Sequence, residues 1–209
     1  MVHRLSGGEP LMNPGAMQFF DLLEQEPAPQ LEISLNSNLG VSFAKIDRLI
    51  GRVQSLLQQK KIRSFSFYTS VDSWGAQAEY MRHGLDFNLL WDRVNQFLTE
   101  IPYRNSITFI VTMNNLSVTS LENLFAGILG LRKTYSKTYQ RVWFDTPLLR
   151  SPSWQSLQIL PPVYADRLEH VADWMELNRM PEDGFVGFKD YEIQRLRRDI
   201  AWMREGTDN

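Results

Sequence analysis

Apolar and polar positions along the chain repeat in one order: a short strand-like run, a polar or glycine-rich turn, then a stretch of helical period. Ile62 to Ser70 (IRSFSFYTS) alternates apolar with polar residues and is rich in aromatics that favour extended backbone, which predicts a strand. Leu31 to Leu35, Ile107 to Val111 and Arg141 to Phe144 read as strands as well. Met1 to Leu5 is too short to stand by itself. Between these runs, Phe43, Ile46, Ile50, Val53 and Leu57 recur at alternating steps of three and four, which places them on one face of a helix with Ser42 as its N-cap. Helices are also expected over Met17 to Glu26 and through Leu89 to Leu98. Another follows Thr119, which with Glu122 has the spacing of a capping box ahead of Leu121, Leu124, Phe125, Ile128 and Leu131.

Strands alternating with helices predict βαβ units and parallel pairing, so the fold class is α/β. After Pro147 the pattern changes. A further strand is expected over Trp154 to Leu160, ended by Pro161-Pro162. Two helices follow, one carrying Tyr164, Leu168, Val171 and Met175 and the other Ile193, Leu196, Ile200 and Met203. The segment from Arg179 to Gly187, with Pro181 and Gly184, is the expected hinge between them. Trp174, Arg195, Arg197, Arg198, Trp202 and Arg204 give these last helices a partly basic, aromatic character, which suits a solvated face or a docking surface.

Composition narrows the function classes. The 209 residues include 12 Phe, 7 Tyr and 6 Trp, enough for a large core without covalent staples. A formal net charge of −2 implies no strongly basic face, so nucleic acid is not an expected partner. No apolar run reaches the roughly 18 residues of a membrane span, and residues 1–14 lack the apolar core of a signal peptide. A cytoplasmic location is expected. There is no cysteine, which removes disulfides, thiol nucleophiles and thiolate-held metal sites from this chain. His3, His83 and His170 show no metal-ligand spacing.

In parallel α/β folds, ligands gather where loops and helix starts converge at the C-terminal ends of strands. The polar residues expected there are Gly7-Gly8-Glu9-Pro10, Asn36-Ser37-Asn38, Ser70-Val71-Asp72-Ser73, Asn114-Asn115 and Asp145-Thr146-Pro147. Each has an ordinary use. The glycines suit a tight turn and Pro10 a helix start; Asn38 suits a left-handed turn; Ser70 and Asp72 suit turns or caps. Arg82 suits a helix-end cation paired with Glu79 or Asp86.

In their order and spacing, however, these residues resemble the radical S-adenosylmethionine (SAM) superfamily. Gly7-Gly8-Glu9-Pro10 matches that family's glycine-rich signature after an early strand, and Ser37-Asn38-Leu39-Gly40 resembles its Thr-Asn-Gly-like turn. Ser70-Val71-Asp72 resembles its Ser-x-Asp. Arg82, in Tyr80-Met81-Arg82-His83-Gly84, resembles the Arg-containing element beyond it. Looser similarity runs through Thr108–Asn115 and Trp143–Pro147, and points to SPASM/twitch-type members.

The resemblance implies a partial, TIM-like (β/α) barrel over residues 1–150 that lacks its first β-α unit, with a strand and helical extension over 151–209. It implies that the main chain at Gly7, Gly8 and Glu9, beside Pro10, receives the amino group of SAM. Arg82 would take the carboxylate, Ser70 the ribose with Asp72 in support, and Asn38 would lie near the sulfonium. The adenine would lie near Val111 and residues 143–148. It also implies a [4Fe–4S] cluster on a Cys-x3-Cys-x2-Cys loop, whose cysteines this chain lacks.

The expectation is therefore a fragment of a radical SAM enzyme, inactive alone, with a separate chain as one possible source of the cysteine loop. A barrel opened by loss of its first unit is expected to self-associate. The alternatives are a non-catalytic SAM-binding or partner-binding module descended from such a barrel, and a TIM-like barrel that holds some other anion. The substrate has no portable motif.

Overall fold

A computed structural model of the chain describes residues 1–39, 41–101 and 104–206. Gly40, the last residue of the expected Ser37–Gly40 turn, lies outside them. Five strands form one sheet: β1 (Val2–Leu5), β2 (Glu32–Asn36), β3 (Ser64–Ser70), β4 (Ser106–Ile110) and β5 (Val142–Asp145). They pair in chain order, every pair parallel. The helices are α1 (Pro14–Gln25), α2 (Phe43–Gln58), α3 (Ala76–Met81), α4 (Phe87–Glu100), α5 (Leu121–Tyr135), α6 (Val163–Leu177) and α7 (Asp190–Glu205).

Alternation along the strands separates the two sheet faces. Ile33 and Leu35 of β2 stand in register with Phe65 and Phe67 of β3, and Phe67 with Ile107 of β4. Ile107 and Phe109 in turn face Val142 and Phe144 of β5, and all of these are buried. Ring contacts show what buries them: Phe20 of α1 and Phe97 of α4 meet Phe65, Trp91 of α4 stacks on Phe109, and Phe125 of α5 meets Phe144. α2 brings Ile46, Leu49 and Ile50 against Phe67 and Ile107. Four helices thus share one face, and this follows from a consecutive parallel order with crossovers of one hand.

The opposite face is polar. Arg4, Ser34, Ser66 and Ser106 form one row across it, and Asn36, Tyr68, Thr108 and Trp143 form the next. Ser66 and Ser106 share a hydroxyl hydrogen bond of 3.1 Å, and the Arg4 guanidinium lies over the Tyr68 ring.

Two local expectations are corrected. Thr119 does not cap α5, because the chain enters that helix through a 3-10 turn over Val118–Ser120 that puts Ser120 at the N-cap position. The Thr119 hydroxyl donates to Gln77 instead. Residues 154–160 form no strand but two 3-10 turns, Ser153–Gln155 and Leu157–Ile159. Ser156 holds the second by accepting from the Gln158 N–H, the kind of local side-chain bond that competes with extended pairing.

The last two helices are anchored from inside. Phe188 is fully buried against Phe125, Phe144 and Trp174. Beside it, Arg132 of α5 and Glu192 of α7 form a two-bond ion pair at 2.9 and 2.7 Å, with side chains 0% and 1% exposed. On the outer side, Arg197 and Arg204 of α7 pair with Asp166, Glu169 and Asp173 of α6. Such exposed pairs contribute little, about 0–1 kcal/mol each. No helix among the described residues is long and apolar enough to cross a membrane.

Candidate functional site

Since the strands are parallel and pair in order, the turns that follow them line one rim of the sheet. β1 leads into Gly7 and Gly8, with φ of 106° and 56°. An added Cβ would meet nothing within 4 Å at either position, so glycine is needed there for backbone conformation and not for room. Both residues are exposed. Glu9 then caps the 3-10 turn Pro10–Met12: Oε1 accepts from the Leu11 N–H and Oε2 from the Asn38 N–H, each at 3.1 Å. The Glu9 side chain therefore fastens the first rim turn to the second, and Pro10 after it is buried.

In the second turn the left-handed residue is Leu39, with φ 59°, and not Asn38. Ser37 supports it by accepting from the Leu39 N–H at 3.0 Å. Asn38 itself is exposed on the rim.

Ser70 ends β3 half-buried, and Asp72 two residues on is 7% exposed. Asp72 Oδ1 accepts from the Thr112 N–H at 2.8 Å, and Oδ2 accepts from Arg82 Nε at 2.9 Å and lies 2.9 Å from Nη2 as an ion pair. Arg82 thus pairs with neither Glu79 nor Asp86, its expected surface partners. Those two serve α4, Glu79 accepting from the Phe87 N–H and Asp86 capping through the Leu89 N–H. A cavity of about 250 Å³ opens beside the pair, lined by Asp72, Met81, Arg82, Thr112, Asn114 and Gln155 among others. Asn114 and Asn115 shape its wall: Asn114 bonds the backbone at Thr112 and Leu116, and Asn115 donates to the Trp154 carbonyl.

The rim continues past β4 and β5 into a larger cleft against α7. Asp145, at the end of β5, pairs with Arg195. Beyond it a cavity of about 440 Å³ is walled by Thr146 to Leu148, Arg150, Arg198, Asp199 and Trp202. A neighbouring space of about 360 Å³ runs back over the polar sheet face, between Tyr68, Ser106, Thr108 and Trp143 on one side and Tyr191 and Arg195 on the other. Lys189 lies over the Trp143 ring at 3.9 Å, and burial lowers its ammonium from the ordinary range.

Asp199 is 6% exposed, and its Oδ2 has no hydrogen-bond partner. Burial pushes its carboxyl up to about 6, against the pull of Arg195, Arg198 and Arg150. The folded chain holds this proton more tightly than the unfolded chain, whose carboxyl titrates near 3.8. Stability from this group is therefore full below about pH 4 and lost as pH rises through about 6. Asp199→Asn is expected to stabilise the protein by about 1–3 kcal/mol more at about pH 7.5 than at about pH 4. Thermal unfolding of both proteins at the two pH values checks it, and a gap that does not change with pH would refute it.

Sequence reasoning noted Arg195, Arg198 and Trp202 but not Asp199, Asp145 or Arg150 as partners in one cleft. The available signal was the helical spacing of Arg195, Arg198, Asp199 and Trp202, which puts all four on one side of α7. Among the described residues no three His, Asp or Glu side chains group as a metal site. Comparison with protein-family models, curated proteins and solved structures found no match.

Proposed function

We propose that this chain is a sector of a radical SAM-type (β/α) barrel that binds S-adenosylmethionine along the rim formed by β1, β2 and β3. One observation carries the reading. The four sequence elements that resemble the family's cradle follow adjacent parallel strands and are joined in pairs, Glu9 to Asn38 and Asp72 to Arg82. The polar face that the sheet leaves uncovered by α1, α2, α4 and α5 is the face that a closed barrel would turn inward.

The residues fit SAM in part. Gly7 and Gly8 are exposed, in conformations that bring bare main chain to a ligand, and suit the amino group. Arg82 has Nε and Nη2 on Asp72, which leaves Nη1 for a carboxylate oxygen. Ser70 has its hydroxyl on the polar face for a ribose. Asp72 acts through Arg82, holding its fork in place. The [4Fe–4S] cluster of the family does not fit this chain, which has no thiolate to offer. Reductive cleavage of SAM would need cysteines supplied from outside these residues, so the reading for this chain is binding, with the non-catalytic module as its second form.

Calorimetric titration with SAM tests it. Wild type is expected to bind, and Arg82→Ala to bind at least about tenfold more weakly, the loss of one charge-assisted hydrogen bond. A folded wild type that takes up no SAM would end the proposal.

A further inference from the structure

The cleft between the β5 exit and α7 contains groups that the SAM reading does not use. Of its three guanidinium groups, Arg195 is neutralised by Asp145. Arg150 stacks over the Trp202 indole at 5.6 Å and forms no ion pair among the described residues. Arg198 is exposed and also forms none. Two cations without an ion-pair partner therefore border a cavity of about 440 Å³, with the Asp199 carboxyl, which both attract, on the same wall; the volume is within the size range of small-molecule sites. The same wall holds Asp199, whose buried Oδ2 lacks a donor. A buried carboxylate oxygen without a partner is costly, and a ligand donor that the side chain turns to meet removes that cost.

We propose that this cleft binds a small oxyanion-bearing ligand, a phosphate or carboxylate held between Arg150 and Arg198, with a hydrogen-bond donor directed at Asp199. Forked guanidinium donors match both kinds of oxyanion. The body of the ligand extends over the polar sheet face, where Tyr68, Trp143 and Tyr191 offer aromatic surface and Ser106 and Thr108 offer hydroxyls. The inference is argued from Arg150, Arg198 and Asp199, none of which the SAM reading assigns, although the cleft borders residues 143–148, where that reading puts the adenine.

The test is a two-dimensional NMR titration that follows the Trp202 indole N–H, assigned with Trp202→Phe. The probes are inorganic phosphate, adenosine monophosphate, 4-aminobenzoate and, as a neutral control, adenosine. Saturable shifts of Trp202 with either phosphate probe or with 4-aminobenzoate support the site, and which of them acts identifies the anion. Arg198→Ala and Arg150→Ala, both at exposed positions, are each expected to weaken binding at least about fivefold, while Arg82→Ala leaves it unchanged. Asp199→Asn is expected to weaken the probes that carry a donor. No Trp202 shift with any anionic probe, equal binding of adenosine and adenosine monophosphate, or unchanged affinity in both arginine variants would overturn it. Loss of SAM binding alone, with the Trp202 response intact, would fault only the SAM reading.

Discussion

Replacing Arg132 with methionine is expected to destabilise the protein by about 3–5 kcal/mol. For a chain of this size that corresponds to a fall in Tm of about 6–20 °C. Arg132 spends every nitrogen inside the protein. Nε donates to the Val142 carbonyl of β5 at 3.0 Å, Nη1 to the Gly187 carbonyl at 2.7 Å, and the two terminal nitrogens clamp Glu192. Glu192 also accepts from the Lys189 N–H at 2.9 Å, which caps the start of α7. Removing the guanidinium leaves a carboxylate that is 1% exposed without its ion-pair partner, with the Lys189 ammonium as the remaining nearby cation, and that loss makes the effect large. Arg132→Met with Glu192→Leu is expected to recover much of it, because an apolar pair needs no solvation. Recovery stays incomplete, since the Val142 and Gly187 carbonyls still lack their donor. Urea unfolding of the two single variants and the double variant measures this coupling, and additive losses would show that the pair is not the cause.

The strands were legible in the sequence wherever one face meets helices and the other does not. Ile62 to Ser70 alternates because Phe65 and Phe67 are buried by α1 and α4, while Ser66 and Tyr68 remain on the polar side. α2 was legible from the same one-sided burial, although the stripe drawn from Phe43 to Leu57 was turned slightly: Leu49 and Leu56 are buried and Phe43 is 52% exposed. The α/β class and the parallel pairing followed from these elements. Residues 154–160 were misread because their apolar positions satisfy two 3-10 turns as well as a strand, and the serine side chains that decide between them have no period.

The rim was legible as a set of positions, and its bonding was not. Glycine at 7 and 8 can be read from sequence because only glycine adopts such φ values without strain. That the Glu9 carboxylate would reach Asn38, 29 residues away, depends on β1 and β2 being neighbours. Asp72 and Arg82 were both chosen, but as separate ligand contacts, and the sequence holds no mark that they pair with each other. The cleft at α7 was least legible, since Asp145 and Arg150 belong to one segment and Arg195, Arg198 and Asp199 to another, joined only by the fold.

Gly187→Ala is expected to cost about as much as the loss of Arg132, about 3–5 kcal/mol, from left-handed backbone strain together with overpacking. Gly187 has φ +123°, and a Cβ there would lie 2.6 Å from the N and Cα of Met180 and 2.8 Å from the carbonyl carbon of Arg179. That backbone cannot withdraw cheaply. Met180 donates its N–H to the Phe188 carbonyl at 2.8 Å, and the Phe188 N–H donates to the Asn178 carbonyl at 2.9 Å, while Phe188 is locked among three aromatic rings. Gly7→Ala is the control, because φ there is +106° but nothing lies within 4 Å of the added carbon. It is expected to cost only the strain, about 1–2 kcal/mol. Denaturant midpoints compare the two, and equal losses would show that crowding at Met180 contributes nothing. Because the Gly187 carbonyl is also an Arg132 acceptor, Gly187→Ala and Arg132→Met combined should lose less than the sum of their separate effects. Such a shortfall would mark the 178–192 segment, the buried ion pair and the β5 edge as one cooperative unit, the unit that holds α7 and its arginines against the cleft.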